Sequence, residues 1–90
     1  MARVRFTPLL RRHLALSPRD DVPGASVREV LEVLFAETPG LRSYLLEDHG
    51  PLRKHVVVFV DDEAVRDRDG LSDPVGDDSE LYVMQALSGG

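Results

Sequence analysis

The sequence closes on "ALSGG", Ala86 to Gly90, and this stretch carries the clearest chemical signal in the chain. Two glycines ahead of a terminal carboxylate combine a reactive group with the least possible bulk. Lacking a Cβ, Gly89 and Gly90 pass a narrow channel and take backbone angles closed to other residues. A chain-terminal carboxyl ordinarily titrates at roughly 3.3–3.7, so it is an anionic nucleophile at neutral pH. The bland alternative is a frayed end without a role, because termini concentrate disorder.

Other constellations are weaker. There is no cysteine, which excludes disulfides, thiolate metal sites and a thiol nucleophile. His13, His49 and His55 fall on different predicted elements without ligand spacing, so no metal is expected. Asp61, Asp62 and Glu63 lack the spacing of a calcium loop and read as a solvated turn. No serine stands in a nucleophile elbow. The chain is therefore expected to have no catalytic residue and to be no enzyme.

Ninety residues suit one domain near the lower limit for folding without staples. A net charge of −5 argues against a nucleic-acid partner. The opening "MARVRFTPLLRRHLAL" is broken by arginines and is neither a signal peptide nor a span, so the expectation is a cytoplasmic protein away from membranes. Charge is unevenly placed. Through Val60 there are nine basic residues against seven acidic, and beyond it two against nine. That excess reads as solvated turns, or as an acidic face near the tail that steers docking onto a basic partner.

The elements that must position the tail follow from periodicity. "RVRF" alternates as a half-buried strand, and "RRHLAL", with Leu14 and Leu16, reads as its hairpin partner. "SPRDDVPG" reads as a loop. Ser26 and Glu29 form a capping box, after which Val27, Val30, Leu31, Leu34 and Phe35 recur at helical spacing until "TPG". "LRSYLL" makes a further helical turn and "EDHGP" breaks it. "HVVVFV" is a strand apolar on both faces, "DDEA" a tight turn, "LSDPVGDDSE" a run of short turns, and "ELYVMQA" the last strand. The order predicts an α+β β-grasp, a mixed sheet wrapped around one main helix, with first and last strands side by side. Residues 1–86 form the domain and 87–90 a flexible tail. One sheet face packs on the helix, and the other is expected to show Phe59, Tyr82 and Met84 as a partner-binding patch unless they belong to the core.

Along nearly its whole length the chain resembles the MoaD/ThiS family of ubiquitin-like sulfur carriers. The matching features are "VRF", "SVREVLEVL", "PGLRSYLLEDHGPLRKHVVVFVDDEAVR", "GLSDPVGDDSELYV" and the terminal "SGG". The PGLR…GPLR…VVVFV spacing is similar to the CysO-like branch that serves cysteine synthesis. The turn Gly76-Asp77-Asp78-Ser79-Glu80 departs from the D-G-D-E of many relatives, and Gln85-Ala86-Leu87 stands where many carry prolines. The resemblance implies that a ubiquitin-activating-type enzyme, using ATP and Mg²⁺, adenylates Gly90. A sulfur donor protein or sulfide then makes a thiocarboxylate, with Leu87, Ser88 and Gly89 recognised as the tail. The chain itself binds no cofactor. The acceptor implied is a cysteine synthase, a molybdopterin synthase large subunit or a thiazole synthase. Two alternatives are a ubiquitin-like modifier forming isopeptide bonds with lysines and a β-grasp module that binds without covalent chemistry.

Overall fold

Period-2 alternation builds the centre of the sheet. In β1 (Ala2–Phe6), Ala2, Val4 and Phe6 point into the core while Arg3 and Arg5 face outward. In β5 (Glu80–Gln85), Leu81 and Val83 are buried and Tyr82 is exposed on the opposite face. The two strands run parallel, with Val4 opposite Leu81 and Phe6 opposite Val83. The computed structural model describes residues 1–48 and 50–85; His49 and residues 86–90 lie outside them. Leu87, Ser88, Gly89 and Gly90, and the boundary expected at residue 86, therefore fall beyond the described part.

Around this pair are α1 (Pro8–Leu14), β2 (Arg19–Val22), α2 (Val27–Glu37), α3 (Leu41–Leu45), β3 (Val56–Val60) and β4 (Glu63–Ala64). The five strands lie in the order β2-β1-β5-β3-β4, with β3 antiparallel to β5. This is the expected β-grasp, and the first and last strands do lie side by side. Helix α2 crosses its inner face and buries Val27, Val30, Leu31 and Leu34; Phe35 is only partly buried, beneath the Arg42 guanidinium at 4.8 Å. Each fully buried side chain contributes about 1.5–3 kcal/mol as an upper bound. The capping box forms with one change. Ser26 Oγ accepts from the Glu29 amide at 3.2 Å, but Glu29 reaches back to the amide of Ala25 rather than Ser26.

Three expectations are corrected. "RRHLAL" is not a strand: Pro8 opens a helix at its first turn, where a missing N–H costs nothing. Leu10 and Leu14, four residues apart, then face inward. The partner of β1 is instead "RDDV", inside the predicted loop. As an edge strand it buries only Val22, so it carries no alternating apolar signal. "DDEA" is half turn and half strand. Asp61 and Asp62 take φ of 49° and 73°, the two left-handed residues a two-residue hairpin loop needs, and Glu63–Ala64 pair back on β3.

The aspartates after β3 mostly hold turns together. Asp61 accepts from Ser79 Oγ and the Glu80 amide, each at 2.9 Å. Asp73 accepts from the amides of Arg66 and Asp67. Asp67 accepts from Ser72 Oγ at 2.6 Å and from the amides of Gly70 and Ser72. Bonds of this kind favour the ionised form. The Ser72 hydroxyl and these amides hold the Asp67 carboxyl at about 2, below its ordinary 3.8. All three shifts are downward.

A carboxyl depressed on folding stabilises the fold above its ordinary value and loses that effect as pH falls toward the folded value. Thermal stability is expected to drop as pH falls from about 4 toward 2, and Asp67→Asn to start lower at neutral pH and decline less steeply over that window. Melting curves across pH check this. Gly24, at φ 145°, gives a second expectation, because a Cβ there would lie 2.8 Å from the Val30 amide nitrogen. Gly24→Ala should cost about 1–3 kcal/mol, seen as a lower urea midpoint at unchanged slope.

Candidate functional site

The outer sheet face is built by strand register. Phe59 on β3 stands directly opposite Tyr82 on β5, Val57 opposite Met84, and Arg5 on β1 flanks Tyr82 from the other side. Tyr82 is exposed, and Phe59 and Met84 are half-buried, so none of the three belongs to the core. Together with Asp62 and Glu80 they line a shallow groove of about 380 Å³. Side chains directly opposite across strands support one another, which holds this apolar strip in place without a helix over it. The arrangement suits the docking of an apolar surface ringed by polar contacts.

The second part of the site is the point where β5 gives out. Gln85 pairs with Val56 across β3, and its side-chain carbonyl accepts a hydrogen bond from the Tyr44 hydroxyl on α3. The Tyr44 ring in turn lies against the His13 ring on α1, with centroids 5.1 Å apart. The amide of Thr7, just before α1, donates to the Val83 carbonyl at 3.2 Å. Helices α1 and α3 thus close on the last described residue of β5. Sequence reasoning missed Tyr44, Gln85 and His13 as a group. The sequence placed Tyr44 on the helical turn "LRSYLL", but nothing in it ties Tyr44 to a residue 41 positions away.

Several acidic residues of the last third, Asp61, Asp62, Asp77, Asp78 and Glu80, lie at the opposite end, whereas Asp67 and Asp69 flank Arg68, which bonds to Leu52 and Arg53. Asp61 and Asp62 follow Val60, which pairs with Leu81 near the start of β5. The N-terminal ammonium donates to the Asp77 carbonyl at that same end. The expected acidic face near the tail concerns residues outside the described part; among the described residues Asp61, Asp67 and Asp73 close turns, and the acidic residues at the start of β5 lie away from Gln85. A larger concavity, of about 500 Å³ beside β4, is lined by Asp61, Asp67 and Asp73, whose oxygens are already engaged in turn bonds. Among the described residues, no group of three or more His, Asp or Glu side chains is placed to hold a metal ion, and no helix is long and apolar enough to cross a membrane.

A five-stranded mixed sheet grasping one main helix, with its last strand central, defines a protein of the ubiquitin-like class. Residues 13–90 match the ThiS family, and the chain belongs to that family. It is similar to the sulfur carrier protein CysO of Mycobacterium tuberculosis, at 27% identity over 89 residues, 97% of this chain and 96% of the relative. A solved complex of BexX and CysO from Amycolatopsis orientalis matches with a TM-score of 0.83 at 28% identity, covering 100% of both chains. SAMP1 of Haloferax volcanii gives a TM-score of 0.77 at 24% identity over 99% of this chain and 98% of its own, a likeness of fold.

Tyr44→Phe removes the donor to Gln85 while leaving the ring against His13. The expected cost is about 0.5–1.5 kcal/mol of unfolding free energy, measured by urea denaturation. Tyr44→Ala is expected to cost more, because the ring contact goes as well.

Proposed function

We propose that this chain is a sulfur carrier whose Gly90 carboxylate is the attachment point. The observation that carries this reading is the span of the family match, residues 13–90, which takes in four of the five strands, the main helix and Gly89-Gly90. The protein is a carrier acted on by enzymes, not an enzyme. A carboxylate is a poor acyl donor because its leaving group is oxide. Attack of a Gly90 oxygen on the α-phosphorus of ATP, in an adenylating partner that supplies Mg²⁺, releases pyrophosphate and leaves an acyl-adenylate. Sulfide then attacks the acyl carbon and expels AMP; a persulfide on a donor protein would instead give an acyl disulfide, which a second thiol of that donor cleaves by thiol–disulfide exchange, leaving the donor as a disulfide. The product is a terminal thiocarboxylate, formed without a thiol from this cysteine-free chain.

The outer face supplies docking and the tail supplies reach. Phe59, Tyr82 and Met84 seat the partner. From Leu87 to Gly90 the chain spans about 13 Å at full extension, enough to carry the acyl group from the domain surface into a partner's pocket. Leu87, Ser88 and Gly89 are the residues a partner reads along the way. Similarity to CysO over nearly the full length supports an acceptor enzyme in cysteine synthesis, and the BexX/CysO complex supports a protein partner that engages this fold. The need for ATP places the reaction in the cytoplasm.

Intact mass spectrometry after incubation with the adenylating enzyme, ATP and sulfide tests the proposal. The expected result is a gain equal to exchange of one oxygen for sulfur, mapped to Gly90 and absent from a chain lacking Gly89 and Gly90. An unchanged mass, with the enzyme shown to be active on another carrier, would overturn it.

A further inference from the structure

The described surface is electrically polarised along the strands. At one end of β5 stand Asp61, Asp62, Asp77, Asp78 and Glu80, all exposed. The other end, at Gln85, carries exposed basic residues. Helix α1 is set there by the parallel pairing of β1 with β5, and it presents Arg11 and Arg12, both exposed. On the far side of β5, Val56 pairs with Gln85, and the turn preceding it is closed by a 3.0 Å bond from the Val56 amide to the Arg53 carbonyl. That turn carries Lys54, the only lysine in the sequence and also exposed.

Among the described residues, Arg11, Arg12 and Lys54 take part in no ion pair, and neither does Arg68, which donates to the Arg53 carbonyl at 2.7 Å; three further arginines near this end are paired. Arg19 is paired with Glu37, Arg42 with Glu32, and Arg53 with Glu47 at 3.2 Å. The exposed acidic residues left in the neighbouring loops are Asp48 and Asp69, the latter next to Arg68, which bonds to Arg53. Strands β1 and β3 flank β5, so their axes stand about 10 Å apart, and the two basic elements adjoin these strands on either side of β5. That is close to the screening length at physiological salt, and their fields add. A chain with a net charge of −5 thus presents, among the described residues, three exposed, unpaired cations at the Gln85 end of β5.

We propose that Arg11, Arg12 and Lys54 form a cationic collar that docks on an acidic protein surface surrounding the entrance through which a partner receives the tail. This rests on the carrier reading and adds to it the chemistry of the partner's rim. The opposed acidic end acts with the collar. In the field of an acidic rim the molecule turns so that the end of β5 faces the opening and the carboxylates face away. Charge arranged in this way raises association rates, and the gain disappears with salt. The collar surrounds the root of the tail, whereas the apolar strip of Phe59, Tyr82 and Met84 lies on the flat of the sheet.

Two measurements decide it. The first is ATP–pyrophosphate exchange by the adenylating enzyme, comparing Arg11→Glu/Arg12→Glu with Asp77→Lys/Asp78→Lys. The collar variant is expected to lose about tenfold in kcat/KM at low salt with kcat held, the loss closing near molar salt. The Asp77/Asp78 variant is expected to stay within about twofold. Lys54→Glu, on a different element, should shift kcat/KM in the same direction as the collar variant. Equal effects from both ends, or none at low salt, overturn the collar. The second measurement needs no enzyme: poly-L-glutamate is titrated into ¹⁵N-labelled chain at low salt. Shift changes confined to α1 and residues 53–56 are expected. Changes spread over the whole surface, or none, overturn the collar. If wild-type chain supports no exchange with an enzyme active on another carrier, the carrier reading falls, and the titration still decides the collar.

Discussion

The parallel pairing of β1 with β5 is the constraint on which the rest of this structure depends. Parallel neighbours cannot be joined by a tight turn, so nearly the whole chain must run out and back between them. That excursion contains α2, which covers the inner face, and β3, which closes the other side of β5. Its consequence is that the last strand is bonded on both edges. The described chain therefore ends on the best-supported strand of the sheet, at a fixed place and in a fixed direction. A carrier whose reactive group lies a few residues farther on needs its origin held in this way.

The same pairing sorts the side chains. Because residues alternate across a strand, burying Leu81 and Val83 against α2 forces Tyr82 and Met84 to the outer face. Burying Val56 and Val58 forces Phe59 there as well. The apolar strip is thus an outcome of register, and a slip by one residue would invert it. Charge is sorted along the perpendicular direction. The turns that start β5 are closed by Asp61 and neighbouring aspartates, whose bonds to amides and serine hydroxyls keep them ionised. Acidic residues collect there for reasons of turn chemistry, whereas at the Gln85 end Arg11, Arg12 and Lys54 take part in no ion pair among the described residues.

Much of this was legible in the sequence because it rests on local rules. Val27, Val30, Leu31 and Leu34 announce a helix by spacing alone, and the alternation of "ELYVM" announces both a strand and an outward Tyr82. What failed to show was set at long range. The segment "RDDV" is a strand because β1 offers an unpaired edge, and three of its four residues are charged. "PLLRRHL" carries signals of both periods, and the contest was decided by Leu10 and Leu14 packing inward beneath α1. The bond from Tyr44 to Gln85 spans half the chain. The acidic excess was visible as composition, but its placement required knowing that β3 and β5 are antiparallel, which carries the connection between them to the end opposite the exit.

Helix α1 stands where β1 and β2 require only a turn. A two-residue hairpin loop would satisfy an antiparallel pair, whereas this chain spends residues 7–18 on the connection. The helix buries Leu10 fully and Leu14 in part, and brings His13 against Tyr44, so it extends the core over the end of β5. Its remaining face, with Leu9 exposed beside Arg11 and Arg12, contributes nothing to that core. Burial explains why the insertion is helical, but not why its outward face is basic in an acidic protein. Those arginines stand at the end of the sheet marked by Gln85, the last described residue of β5. Placed one strand away from the exit of β5, they let one short helix brace the end of that strand and present it to a partner.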